Sequence, residues 1–312
     1  MEYDKDLEYN LTLLSACITK FHLESTVSIV ISNNHSTDNT QDLLNKFEES
    51  SNFNIKCYNQ TTNIGAGPNL AFVIGKADTE FVMLLGDDDY LPETYLPKCL
   101  NYIENNSRIG CIIPNYAGIL PDKVTTCYVR DGSKEDRLFS AGFEACLENS
   151  WRAHQLSGLC FRKADLYERF VELKINNLYP QIFFVASSCL KYDTLYLCSQ
   201  IVHVTKVPQG QKDWSYGDDG LLCDVFDNYR HLGLSCYKRG KLEWKMLDFQ
   251  DWRYMMGNSK GKIKFKTLIK LFLSSKMSFS LLHKYKIGNE WFTSQSEFVN
   301  SSKENLNLPF GM

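Results

Sequence analysis

The chain has 312 residues, of which 44% are hydrophobic and 13% aromatic, a globular composition with ample material for a core. A formal net charge of −3 gives no general attraction to nucleic acid, so no nucleic-acid partner is expected. The 11 cysteines include no C-x-x-C pair, which argues against a structural zinc site and reads as reduced thiols in a cytoplasmic protein. No apolar run suits a signal peptide or a bilayer-spanning helix, so membrane contact is expected to be peripheral.

The first half alternates helical and strand patterns. Leu7, Leu11, Leu14 and Ile18 have helical spacing over Leu7 to Phe21. Val27 to Ile31 is a β-branched run and predicts a strand. Thr40 to Phe47 predicts a helix capped by the Ser36-Thr37-Asp38 cluster. Ile55 to Tyr58 is a short strand, and Gly67-Pro68-Asn69 opens a helix to about Lys76. Phe81 to Leu85 is a fully apolar strand that runs straight into Gly86-Asp87-Asp88-Asp89. Pro92 starts a helix through Tyr102, and Ile109 to Ile113 is again a strand. Further on, Leu156 to Arg162 and Leu195 to Val207 read as strands, and Pro180 to Leu190 and Asp218 to Leu232 as helices. From about residue 250 the composition changes. Alternation with near-continuous apolar strands predicts an α/β fold whose mostly parallel sheet is flanked by helices. Ligands bind beyond the carboxyl ends of such strands, where the polar clusters at 32–38 and 86–89 both fall.

Three consecutive aspartates repel one another. At the end of a buried strand they are tolerable if a cation neutralises them. Hard divalent cations, Mn²⁺ or Mg²⁺, prefer carboxylate oxygen and also bridge phosphates. A solvated acidic turn with Asp89 as a helix cap is the plainer alternative. The strand context favours the metal.

Three segments carry a resemblance. Val27-Ser-Ile-Val-Ile-Ser-Asn-Asn-His-Ser-Thr-Asp-Asn-Thr40, Asn63-Ile-Gly-Ala-Gly-Pro-Asn69 and Phe81-Val-Met-Leu-Leu-Gly-Asp-Asp-Asp89 resemble, in order and spacing over roughly residues 5–115, family 2 glycosyltransferases with the Rossmann-like GT-A fold. Tyr179-Pro-Gln-Ile-Phe-Phe184 and Lys212-Asp-Trp-Ser-Tyr-Gly217 are similar to abequosyltransferase-like enzymes of O-antigen synthesis. The resemblance implies transfer of a sugar, such as a dideoxyhexose, from a CDP- or UDP-sugar to a lipid-linked saccharide acceptor. It implies metal ligands at Asp87 and Asp89 and donor contacts at Asn33, Asn34, Asp38, Asn63, Asp87 and Asp88. It divides the chain into a nucleotide-sugar half (1–115), an acceptor half (116–250) and a C-terminal region (251–312).

Departures from the family pattern shape the remaining expectations. The family's first strand has no counterpart in this sequence, which begins at the following helix: either the start is assigned too late, or the inner strand is lacking, which would expose a sheet edge and weaken nucleotide binding. Asn33 and Asn34 stand where the family often has aspartate; an amide offers both N–H and C=O and so suits cytosine as well as uracil. The family's catalytic carboxylate aligns with Gln181, which cannot act as a base. Either Asp218 supplies one, giving inversion, or the departing phosphate takes the proton, giving retention, as the α-linked products of the resembling enzymes favour. Asp218 is equally readable as a helix-capping residue, and Asp219 reads as one. His203 reads as a structural strand histidine, and His35 as a phosphate, base or solvated turn residue.

Residues 260–286 hold 8 lysines and no acid, with Phe265, Leu268, Ile269, Phe272 and Leu273 on one helical face. Such a basic amphipathic helix suits an anionic membrane surface, here the cytoplasmic face of the inner membrane; packing on the catalytic domain is the alternative. A non-catalytic protein of the same fold, binding a nucleotide-sugar or a membrane partner, is the competing functional class.

Overall fold

The computed structural model describes residues 3–206 and 221–250. The chain forms two compact units, Met1–Asp213 and Trp214–Met312. In the first, α1 (Tyr3–Lys20) leads to β1 (Ile29–Asn33), α2 (Thr40–Ser50), β2 (Ile55–Asn59), α3 (Ala66–Lys76) and β3 (Phe81–Met83). Then follow α4 (Tyr95–Asn105), β4 (Ile109–Ile119), β5 (Thr126–Val129), β6 (Arg137–Phe139), α5 (Phe143–Asn149) and a 3-10 helix (Ser150–His154). The unit closes with β7 (Cys160–Arg162), α6 (Leu166–Glu172), α7 (Pro180–Lys191) and β8 (Asp193–Thr205).

The α/β architecture is as expected, but the strands are mixed rather than mostly parallel. β1 pairs parallel with β2, Ile29 opposite Ile55, in a two-stranded sheet of its own. The larger sheet runs β3-β7-β4-β8-β6, with β5 added to β4. Only β4 and β8 are parallel in it; β7 lies antiparallel to both β3 and β4. The direction of β7 is set by the connections around it, and no residue pattern within the strand encodes that. Among the described residues β1 and β3 each have one strand partner, so the two sheets meet no common strand.

The core lies on β4 and α7. Every residue of β4 is buried, and so are Pro180 to Cys189. Phe161 of β7 stacks on Phe184 of α7, with ring centroids 5.0 Å apart and nearly parallel planes. Burying each such phenylalanine contributes about 2 kcal/mol. Pro114 interrupts β4 because it has no N–H to give. There the register slips: Pro114 faces Leu197 and Asn115 faces Ile201, so Cys198 to Gln200 bulge from β8. Asn115 repairs the break, its side-chain N–H₂ donating to the Asp131 carbonyl at 2.7 Å.

Local departures from expectation are small. α4 starts at Tyr95, and Pro92 supplies the carbonyl that accepts the Tyr95 N–H. β4 runs longer than its apolar signal, β8 begins two residues earlier than expected, and β5, with four exposed residues, had no signal. In the second unit α8 (Leu222–Arg230) and α9 (Cys236–Phe249) are described; Ser235 caps α9 by accepting the Lys238 N–H. Asp218 and Asp219, the aromatic loop beside them and the lysine-rich stretch 260–286 lie outside the described residues. No helix among the described residues is long and apolar enough to cross a membrane.

Candidate active site

The aspartate triplet sits beyond the end of β3. The ladder to β7 continues past the strand, through Leu84 N–H to Leu159 O at 2.9 Å and Gly158 N–H to Leu84 O at 2.8 Å. Gly158 adopts φ +82°, and a Cβ there would lie 2.8 Å from Pro114 and from Val202. Glycine therefore lets the chain pass close under β4, and this places Ser157 against the triplet. Ser157 Oγ accepts the Gly86 N–H at 2.9 Å and donates to Asp89 Oδ2 at 2.5 Å.

The three carboxylates have different surroundings. Asp89 is buried, and Gln155 adds a second donor to Oδ2 at 3.2 Å while the Thr205 N–H donates to Oδ1 at 3.0 Å. The Thr205 hydroxyl also donates to the Asp88 carbonyl. Asp88 is half-buried and Asp87 is exposed, and among the described residues only backbone N–H groups approach their carboxylates. Burial, then the charges of Asp89 and Asp87, pushes Asp88 up to about 7. Burial pushes Asp89 up to about 6, against the pull of Ser157 and Thr205. Burial holds the Lys206 ammonium down, while Asp89 pulls it back up. Asn10, on α1, donates to the Gly86 carbonyl at 2.8 Å and fixes the turn from the other side.

These surroundings suit a hard cation. Asp87 and Asp88 keep most of their lone pairs, and Asp89 keeps one direction open on Oδ1. Gly86 leaves a methyl-sized space bounded by Ser157 Oγ, Asp89 Oδ2 and Asp88 Oδ1. Among the described residues no three His, Cys, Asp or Glu side chains converge as a closed metal cage. A cation here would draw the rest of its shell from phosphate and water, as Mg²⁺ commonly does.

The expected donor-side residues form one hydrogen-bonded unit. Asn34 donates to Asn63 Oδ1 at 3.0 Å and accepts the Ile64 N–H at 2.9 Å. Asn33 is buried; it donates to Asn59 at 3.2 Å and accepts the Ser36 N–H at 3.0 Å. Both amides are pinned, because a backbone N–H identifies each oxygen. Asp38 caps the start of α2 through the Thr40 N–H and hydroxyl, and its charge bears on Asp87. The turn between them carries His35 at φ +65°. Gln181 is buried in the first turn of α7, with Oε1 lacking a donor. His203 is exposed, and its backbone bridges Tyr90 in both directions at 2.9 Å. Asn10, Gln155, Ser157, Thr205 and Lys206 were not foreseen: each is a lone polar residue far from the triplet in sequence.

A mixed sheet flanked by helices, with an acidic turn at a buried strand's end and an asparagine-rich turn on the neighbouring parallel pair, defines the GT-A class of fold. Residues 11–141 match the family model described as Glycosyl transferase family 2. That domain on that fold supports a glycosyltransferase. An uncharacterized protein of Haemophilus influenzae is 24% identical over 122 residues, which cover 38% of this chain and 66% of that protein. The structure of S. aureus TarS 1-349 in complex with UDP-GlcNAc superposes with a TM-score of 0.60 at 16% identity, covering 85% of this chain and 77% of that one. S. aureus TarS gives 0.59 at 16% identity, covering 85% and 46%. At such identity the likeness lies in the fold.

Proposed function

We propose that this chain transfers a sugar from a nucleoside-diphosphate donor to a lipid-linked saccharide, an O-antigen or related polysaccharide precursor. The observation that carries the reading is the triplet itself: three carboxylates at one strand end, all held above the ordinary carboxylate range, first by burial and then by the charge of neighbouring carboxylates. Asp87 and Asp89 are the proposed ligands of Mn²⁺ or Mg²⁺, with Asp88 beside them. Such a cation, when bound, offsets charge on the departing diphosphate. Ser157, Gln155 and Thr205 hold Asp89 in one orientation, so its open lone pair has a fixed direction. Asn34 and Asn63 brace each other beside the donor base.

The TarS complex holds UDP-GlcNAc, and a pyrimidine nucleotide fits the reading here. The pinned amides of Asn33 and Asn34 each retain one N–H, which can serve the carbonyl or ring-nitrogen acceptors of cytosine; a CDP-sugar, with a dideoxyhexose such as abequose, is the preferred donor. The lysine-rich stretch 260–286 is the proposed contact with the cytoplasmic face of the inner membrane; salt-sensitive binding to anionic vesicles that survives truncation after residue 258 would contradict it. The competing reading, a non-catalytic donor-binding protein, draws on Gln181, an amide where a base is expected.

Calorimetry with CDP and UDP in Mn²⁺, repeated in EDTA, tests the donor site. Binding that disappears in EDTA supports it, and binding indifferent to EDTA contradicts the metal. Clearly tighter UDP binding contradicts the cytidine preference.

A further inference from the structure

Lys206 follows directly on the residue that grips the acidic turn. Thr205 gives its N–H to Asp89 Oδ1 at 3.0 Å and its hydroxyl to the Asp88 carbonyl. The Lys206 N–H donates to the Ile119 carbonyl at 2.7 Å, which anchors its backbone to the end of β4. Its side chain then turns back across β4 at Gly118. A Cβ at Gly118 would stand 3.0 Å from Lys206 Cε, 3.1 Å from its Cγ and 2.5 Å from Tyr128 Cε1. Any side chain there would displace both, so glycine leaves the lysine stem its path.

The half-buried ammonium lies 5.2 Å from the Tyr128 ring centroid, and among the described residues it forms no ion pair. The stem is held by packing while the charged end keeps its N–H donors unused. Its charge nevertheless bears on Asp89 and Asp88.

This gives the acidic turn two different ends. Asp38, on the turn that begins at Asn34, bears on Asp87. Thr205 and Lys206 bear on Asp89. A nucleoside diphosphate with its base at Asn34 and Asn63 and its phosphates on the acidic turn therefore presents its terminal phosphate at the Lys206 end. The turn alone has no positive charge to spare for that phosphate. Two carboxylates balance a divalent cation, and Asp88 adds negative charge beside them. An ammonium with three N–H donors supplies what is lacking.

We propose that Lys206 binds the terminal phosphate of the nucleoside diphosphate, along a path that Gly118 keeps open. This rests on the proposed donor and names a further residue that touches it.

The test is calorimetry on the full chain in Mn²⁺ with CDP, UDP, CMP and UMP, comparing wild type with Lys206→Gln. The readout is the ratio of diphosphate to monophosphate affinity, because general damage to the fold weakens both together. Lys206→Gln should weaken the diphosphate by about tenfold, the loss of one charge-assisted contact, and the monophosphate by less than about twofold. Gly118→Ala keeps the ammonium but displaces it, and should narrow the same ratio; a ratio unchanged there would overturn the role of Gly118. An unchanged ratio in Lys206→Gln, whether both nucleotides bind as before or both weaken equally, would overturn the assignment of Lys206 and leave the donor reading standing. No saturable binding of any of the four nucleotides by wild type would overturn the donor reading, and this assignment with it.

Discussion

Ser157 donates its hydroxyl proton to Asp89 at 2.5 Å while accepting the Gly86 N–H, so one side chain orients both ends of the acidic turn. Ser157→Ala removes a hydrogen bond to a carboxylate and leaves the Gly86 N–H without its acceptor. The expected cost is about 2 kcal/mol, seen as a Tm lowered by several degrees, together with weaker Mn²⁺ binding at neutral pH. Thermal melts with and without Mn²⁺ check this; an unchanged Tm and an unchanged Mn²⁺ response would refute it.

The raised carboxylates give a signed pH dependence. In the unfolded chain an aspartate titrates at about 3.9. Asp88 and Asp89 titrate higher in the fold, at about 7 and about 6. The native state therefore binds more protons than the unfolded state between those limits, and their contribution to stability is lost as pH rises through that window. A cation at the turn reverses the penalty, so the rise in Tm on adding Mn²⁺ should be larger at about pH 8 than at about pH 5. Asp88→Asn should flatten the metal-free profile. Equal Mn²⁺ effects at both pH values would contradict the assignment.

Gly67 offers a test of the packing that supports the donor side. Helix propensity alone predicts that Gly67→Ala stabilises α3 by about 1 kcal/mol. A Cβ there would stand 2.2 Å from the Asn177 carbonyl oxygen, a backbone atom that cannot swing away. Contact should win, and the variant should lose about 1–3 kcal/mol in denaturant unfolding. A gain in stability would show that the loop at Asn177 yields.

The parts of this site legible in the sequence are those whose signal is local. Phe81 to Leu85 announced a buried strand and the triplet its end, and Asn34 and Asn63 fell in segments that resemble a known family. The structure brings those two asparagines into direct contact. What holds the triplet was not legible, because Asn10, Ser157 and Thr205 reach it from 76, 71 and 116–117 positions away in the chain. The antiparallel course of β7 is likewise a property of its connections, since its Cys160-Phe161-Arg162 would read the same in either direction.

Asp87 is the cleanest probe of the central claim, that the acidic turn serves a metal-dependent sugar donor. Asp89→Ala would strip Ser157, Gln155 and the Thr205 amide of their acceptor, so loss of activity there would mix chemistry with folding. Asp87 is exposed, and among the described residues no side chain donates to it. The decisive measurement is release of nucleoside diphosphate from CDP- and UDP-sugars by the purified chain in Mn²⁺, compared with EDTA and with Asp87→Asn. The account predicts turnover in Mn²⁺, none in EDTA, and a loss of about 100-fold or more in the variant at unchanged Tm. Full turnover in EDTA or in Asp87→Asn would contradict it.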